Sequence, residues 1–388
     1  MRFGGLRMKE MTSRERLTAV LDKKLPDKVP ISPRMAYWMR DYYGGAGIFD
    51  LLKMKGEFDF DPIFQIAITP PNFPYTQFID YSLFNDITVD FKSERKNSML
   101  YVDRVIHTPK GDLSDQMRYA PNDPAYGLGP NPEKVIGLVK TMDDLEKMQY
   151  LLPDPEKFCS AEFAFVDKYL GDGGMVEVRA HQGVDHLLVD SLGFENALTM
   201  LYDDPELFKA AIKVYHDYYK KVLVFALEHG AKIIFESWYN CSLSAGWSPA
   251  VWREFFLPHI IEDAEITHRY GAYFHFYDDG KVMPILDDLK TIKMDLLSTL
   301  CSPQAGGDVD AVTIKEKLGS STAFNGYVSL INILMGTKQE VEEETRYALE
   351  VLGKNGGYIL GTTDSIRNGS PIENVRAFFE TGRKYGLY

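Results

Sequence analysis

Apolar positions recur at spacings of three and four through residues 204–230. Leu207, Ala211, Val214, Tyr218, Val222 and Phe225 fall on one stripe, which predicts an amphipathic helix. Asp204-Pro205 opens it with proline at the first helical position, and Gly230 stops it. A second helix is expected from Ser248-Pro249 to Gly271, kinked near Pro258. Thr12–Glu15, Thr337–Glu340 and Ser370–Glu373 each read as capping boxes, and Gly353 and Gly386 as stops for the last two helices.

Between these helical stretches lie short runs of β-branched and aromatic residues. Strands are expected near Val29–Ser32, Phe58–Gln65, Met175–Arg179, Lys232–Glu236, Tyr273–Tyr277, Asp295–Thr299, Thr322–Tyr327 and Tyr358–Leu360. From Met175 onward they alternate with helices, which implies parallel pairing through crossovers. Eight such units predict an α/β fold, a (β/α)8 TIM barrel with an N-terminal extension, forming one domain over residues 1–388. An open doubly wound sheet is the rival. Within residues 87–120, Ile87–Phe91, Met99–His107 and Asp112–Tyr119 read as a β-hairpin insertion turning at Pro109-Lys110-Gly111. Residues 120–155, rich in Pro, Asn, Gly and Asp, read as a long loop.

Charge narrows the function. The 388 residues carry a net charge of −13, with no basic cluster of the kind phosphate backbones require, so nucleic acid is not an expected partner. No apolar run approaches the ~20 residues of a membrane helix, and the N-terminus lacks an apolar signal core. Three widely spaced cysteines, Cys159, Cys241 and Cys301, suit a reducing compartment, so a cytoplasmic location is expected. A homodimer is a prior for a barrel of this size.

In such a barrel, the chemistry belongs at the carboxyl ends of the strands. The candidates there are Arg179, His181 and Gln182; Glu236, Trp238 and Tyr239; His275, Tyr277, Asp278 and Asp279; Cys301; Asn325 and Tyr327; and Thr362, Thr363, Asp364 and Ser365. Acids, imidazoles and phenols in one mouth suit proton transfer or metal ligation. Each residue also has a plainer role. Glu236 can cap a loop, His275 can be a satisfied barrel histidine, Asp279 can serve the Asp-Asp-Gly turn, and Cys301 can be a small buried hydrophobe. Strand alternation puts His275 and Tyr277 on one face. No G-x-G-x-x-G, Walker A, G-x-S-x-G or H-E-x-x-H pattern occurs in the required context.

The chain also resembles a known family. Thr12-Ser13-Arg14-Glu15-Arg16-Leu17, followed by Pro26-Asp27-Lys28-Val29-Pro30, resembles the opening of the uroporphyrinogen decarboxylase superfamily. Gly336-Thr337, Glu340-Val341, Gly356-Gly357-Tyr358-Ile359-Leu360-Gly361 and Ser370-Pro371-Ile372-Glu373-Asn374-Val375 are similar in order to its ending. Thr108-Pro109-Lys110-Gly111-Asp112-Leu113 resembles a hairpin of its methyltransferase-like branches. The resemblance implies a (β/α)8 barrel and two kinds of chemistry. The decarboxylases carry Met-Arg-Gln-Ala-Gly-Arg near the N-terminus. Here the stretch reads Trp38-Met39-Arg40-Asp41-Tyr42-Tyr43-Gly44, without the second arginine. The thiol methyltransferases hold zinc with His-x-Cys and a later Cys. Here His275-Phe276-Tyr277 and Thr363-Asp364-Ser365 stand instead, so any zinc would need ligands such as Glu236 and His275.

The third group resembles this chain best. Its members demethylate a small methylated substrate, typically a methoxylated aromatic, onto the Co(I) corrinoid (cobalamin) of a partner protein. No D-x-H-x-x-G corrinoid motif occurs here, so the cobalamin is expected on a separate corrinoid protein. The hard step is departure of the aryl oxide, which needs protonation or coordination. Glu236, His275, Tyr277 and Asp279 are the expected catalytic groups, and Arg179, His181, Trp238, Asn325 and Asp364 the expected substrate contacts. The alternatives are a cofactor-independent decarboxylase of uroporphyrinogen-like or smaller acids, and a non-catalytic ligand-binding barrel.

Overall fold

The computed structural model describes residues 10–68, 87–121, 132–180 and 183–388. Eleven strands occur among them: β1 (Ile63–Ile68), β2 (Thr88–Lys96), β3 (Met99–Thr108), β4 (Gly111–Tyr119), β5 (Glu133–Ile136), β6 (Met175–Ala180), β7 (Ile233–Ser237), β8 (Tyr273–Tyr277), β9 (Leu296–Ser298), β10 (Ala323–Val328) and β11 (Tyr358–Thr362). Seven of these, β1 and β6 to β11, are interleaved with helices, so the fold is α/β. The expected eighth strand, Val29–Ser32, is too short to be one. Ile31 makes a single parallel bridge to Leu360, flanked by Leu360 N–H to Pro30 O at 2.8 Å and Ser32 N–H to Leu360 O at 2.8 Å. Pro30 and Pro33 bracket the segment, and proline has no N–H to extend a ladder.

The chain divides into two compact units. One comprises residues 1–65, 164–177 and 278–388, and the other residues 66–163 and 178–277. In the first, β10 pairs in parallel with β9 and with β11, in the registers Phe324↔Leu297 and Phe324↔Tyr358. Every residue of β10 and β11 is buried, which explains their near-continuous apolar reading. In the second, β7 pairs in parallel with β6 and with β8. There Thr88–Tyr119 forms three antiparallel strands that β5 extends to four. The 120–155 stretch read as loop contains β5 and a helix, Met142–Met148, whose first turn is capped by Thr141.

The helices follow their end signals with two differences. Thr12 and Thr337 close capping boxes, and Asp204 accepts from Leu207 N–H to open the 24-residue helix Pro205–Glu228. Ser370 does not cap. The last helix starts one residue later, at Ile372 behind Pro371, without a side-chain cap. The irregularity expected at Pro258 falls a turn earlier. Residues Trp252–Phe256 are a π-helical turn, and the regular helix Leu257–Arg269 takes Pro258 into its first turn. A proline ring clashes with the carbonyl four residues before it, and widening that turn relieves the clash. Among the described residues, no helix is long and apolar enough to cross a membrane.

Candidate functional site

Register decides which side chains meet in the second unit. Arg179 pairs with Phe235, and Phe235 with His275. Residues paired across a parallel ladder share a face, and alternate residues along a strand share it too. Arg179, Phe235, Ser237, His275 and Tyr277 therefore point one way, and Glu236 and Phe276 the other. Side-chain contacts agree. The Phe235 ring lies 5.0 Å from His275 and 5.3 Å from Tyr277, centroid to centroid, and the Arg179 guanidinium sits 5.8 Å over the same ring.

On the first face Arg179 is half-buried and reaches into a polar cluster. Its Nη2 donates to Ser237 Oγ at 3.0 Å and lies 3.4 Å from His186 Nε2. The Tyr239 hydroxyl lies 2.7 Å from that same Nε2. A guanidinium only donates, so Nε2 is the accepting nitrogen and the proton of a neutral imidazole sits on Nδ1. Asp185 Oδ2 lies 3.1 Å from Nδ1. Asp185 is itself fixed by the Cys241 backbone N–H at 2.7 Å and the Asn240 amide at 3.2 Å. Asp185 and His186 occupy the first turn of the helix Gly183–Leu192, while Ser237 ends β7 and Tyr239 follows it. The result is a buried carboxylate close beside a buried imidazole, which contacts a half-exposed phenol and a half-exposed cation. Such a set orients a hydroxyl and offers positive charge to a neighbouring oxygen. Sequence reading missed Asp185, His186 and Ser237. The Asp-His pair opening a helix just after a strand was the available signal.

Glu236 lies on the opposite face and is 2% exposed. It accepts hydrogen bonds from Tyr219 Oη at 2.9 Å and from Trp238 Nε1. Asp263, from the helix Leu257–Arg269, is within hydrogen-bonding reach of it. Burial, and then the neighbouring carboxyl, push the Glu236 pKa well above the usual carboxylate range, and burial does the same to Asp263. Two adjoining buried carboxyls hold at least one proton between them. Glu236 and His275 thus face opposite ways, and the expected zinc pair does not fit: no ion can bridge two sides of one sheet. Trp238 is fully buried and serves Glu236, so it is not a substrate contact as expected.

The remaining candidates belong to the first unit. Asn325 donates both amide hydrogens to backbone carbonyls, Ser32 O at 3.1 Å and Ile359 O at 3.2 Å, tying the Ile31 bridge to β11 instead of facing a ligand. A Cβ on Gly361 would lie 2.6 Å from that amide, so glycine is required there. Asp364 accepts from Arg367 at 2.7 Å, and Arg34 lies 3.8 Å away. Asp279 is half-buried near Cys301, whose thiol is pushed up to about 12 by burial and then by that acid. Thr299 and Tyr327 adopt φ of +65° and +84° at the carboxyl ends of β9 and β10, left-handed conformations that side chains disfavour. His181 lies outside the described residues.

An α/β sheet with polar groups gathered after its strands defines the class of protein. The chain belongs to the uroporphyrinogen decarboxylase (URO-D) family, whose pattern matches residues 187–385, about half its length. Among curated relatives, uroporphyrinogen decarboxylase 2, chloroplastic, of Oryza sativa subsp. japonica is 25% identical over 198 residues, covering 50% of this chain and 47% of that protein. Uroporphyrinogen decarboxylase, chloroplastic, of Zea mays is 26% identical over 189 residues, covering 47% and 44%. The chain thus matches about half the length of these relatives. Among solved structures, a methyltransferase from Methanosarcina mazei superposes with a TM-score of 0.62 at 16% identity, covering 97% of this chain and 99% of that one. That likeness concerns the fold alone.

Proposed function

We propose that the chain is a methyltransferase that demethylates a small methylated substrate, an aryl methyl ether, and passes the methyl group to the corrinoid of a partner protein. The observation that carries this reading is the Arg179–His186–Tyr239 cluster with Asp185 behind it. The corrinoid supplies the nucleophile that takes the methyl group. The chain must make the aryl oxide leave. As the methyl–oxygen bond breaks, the Tyr239 hydroxyl turns its proton from His186 Nε2 to the departing oxygen, and solvent water then reprotonates the phenolate. Arg179 offsets the charge that develops on that oxygen, while His186 sets the phenol's direction. Phe235 and Tyr277, buried on the same face, pack against each other, and Phe235 against Arg179, so they support the cluster without meeting a donor directly. The absent second arginine in Trp38–Gly44 favours this reading over a polycarboxylate substrate, which needs several fixed guanidinium forks.

One observation favours a second reading. The same guanidinium of Arg179 matches a carboxylate, and a decarboxylase of a small acid would use it as an anchor. A single experiment separates the two. Purified protein is mixed with a reduced corrinoid protein and a panel of methoxybenzoates, and the corrinoid absorption spectrum is followed. Methylation with one donor is the expected result. A silent spectrum across the panel, with CO2 released from a carboxylic acid substrate, would replace the first reading with the second.

A further inference from the structure

A second polar cluster lies on the helices Pro205–Glu228 and Leu257–Arg269, apart from the face that carries Arg179. His216 Nδ1 and His259 Nδ1 approach to 2.9 Å, and Glu262 Oε2 lies 3.8 Å from the former. The three donor atoms fall within 4.8 Å of one another. His259, Glu262 and Asp263 follow at helical spacings of three and four, so one helix face presents all of them. His216 is buried, His259 half-buried, and Glu262 exposed.

We propose that His216, His259 and Glu262 form a divalent transition-metal site of the zinc type, with Asp263 as its positioning residue. Tetrahedral zinc at ~2.0–2.1 Å from its ligands sets neighbouring donors ~3.3 Å apart, and the observed 2.9 and 3.8 Å straddle that spacing. Asp263 Oδ1 lies 3.1 Å from His216 Nε2, the carboxylate–imidazole arrangement that turns the other ring nitrogen's lone pair outward. The two facing Nδ1 atoms hold one proton between them, which a metal ion replaces. Lys220 binds Glu262 through Oε1, at 3.1 Å, leaving Oε2 toward the imidazoles. Asp217, which Lys220 also approaches, adds further negative charge. With Glu262 at the surface, the fourth position opens to water. Asp263 also touches Glu236, so the ion would sit at the outer end of a polar chain running inward to β7. The proposal does not rest on the methyl-transfer reading.

The test is titration of the chelator-treated full chain with zinc by calorimetry, and with cobalt by visible absorption. The expected result is one ion per chain, with a tetrahedral cobalt spectrum and a raised melting temperature. His259→Ala and Glu262→Gln, both at accessible positions, should each weaken binding at least ~10-fold, and Asp263→Asn ~10–100-fold. Circular dichroism confirms that each variant is folded. His216→Ala is not relied upon, because its buried site can collapse. No zinc binding below millimolar concentration would overturn the proposal. Binding that His259→Ala and Glu262→Gln leave unchanged would overturn it equally.

Discussion

The two faces of β7 hold equally polar residues put to opposite uses. On one, Ser237 joins Arg179, His186 and Tyr239, and two of these groups reach solvent. On the other, Glu236 is enclosed by Tyr219, Trp238 and Asp263. A charged side chain at a strand's end is therefore no sign of a site until its face is known. The enclosed acid organises packing, and the open cluster is where a ligand can be met.

That contrast is open to a direct test. The largest effect is expected from the open face. Tyr239→Phe and His186→Ala should each lower turnover of the methyl donor ~10²–10⁴-fold, the usual worth of positioned proton transfer, with little change in thermal midpoint for Tyr239→Phe and a lowered one for the buried His186→Ala. Steady-state kinetics beside thermal melts check this, and full activity in both variants would return the assignment to other residues. On the enclosed face the order reverses. Glu236→Ala leaves Tyr219 Oη and Trp238 Nε1 buried without acceptors, at about 1–3 kcal/mol each. Urea denaturation should show that loss, with activity declining only as the fold does.

Glu236→Gln is expected to behave differently. The folded chain holds a proton on the Glu236–Asp263 pair that the unfolded chain releases above the ordinary carboxyl range of about 4. The folded state binds more protons there, so this pair's contribution to stability falls as pH rises. Glutamine mimics the protonated acid and should flatten that slope between pH 5 and 8 (buffer choices) when denaturation is repeated across pH. An unchanged slope would place the extra proton elsewhere. Smaller still, Asn325→Ala should cost about 1–3 kcal/mol by orphaning two carbonyls, with no selective loss of donor affinity. The smallest effect concerns reagents. With Cys301 raised to about 12 by burial, alkylation near pH 8 should label the exposed Cys159 first.

Much of the fold was legible because its signals are local. The capping residues Thr12 and Asp204, and the stripe from Leu207 to Phe225, act within a few residues of themselves. β8 runs over the expected Tyr273–Tyr277, where apolar and aromatic residues leave no ambiguity of length. Val29–Ser32 misled because its prolines cut short a strand that its composition favours. The site was less legible because it depends on which way residues face. His275 and Tyr277 share a face as alternation requires, but nothing local shows that Glu236, in the neighbouring strand, is one register step out of phase with His275. Asp185 and His186 were hidden in a helix whose periodicity reads as plain packing. Asn325 looked like a ligand contact because its carbonyl partners, Ser32 and Ile359, are 293 and 34 residues away.

The alternation along β7 also constrains how this protein can change over time. Side chains there can be exchanged one at a time, each with a bounded effect. The number of residues cannot. Loss or gain of a single codon before Phe235 would turn every later residue of the strand over at once. Glu236 would then stand among aromatic rings, Phe235 would be thrust against Tyr219 and Asp263, and Ser237 would lose Arg179. Lineages descended from this chain should therefore record many substitutions in the strand and carry their length changes in the loops on either side.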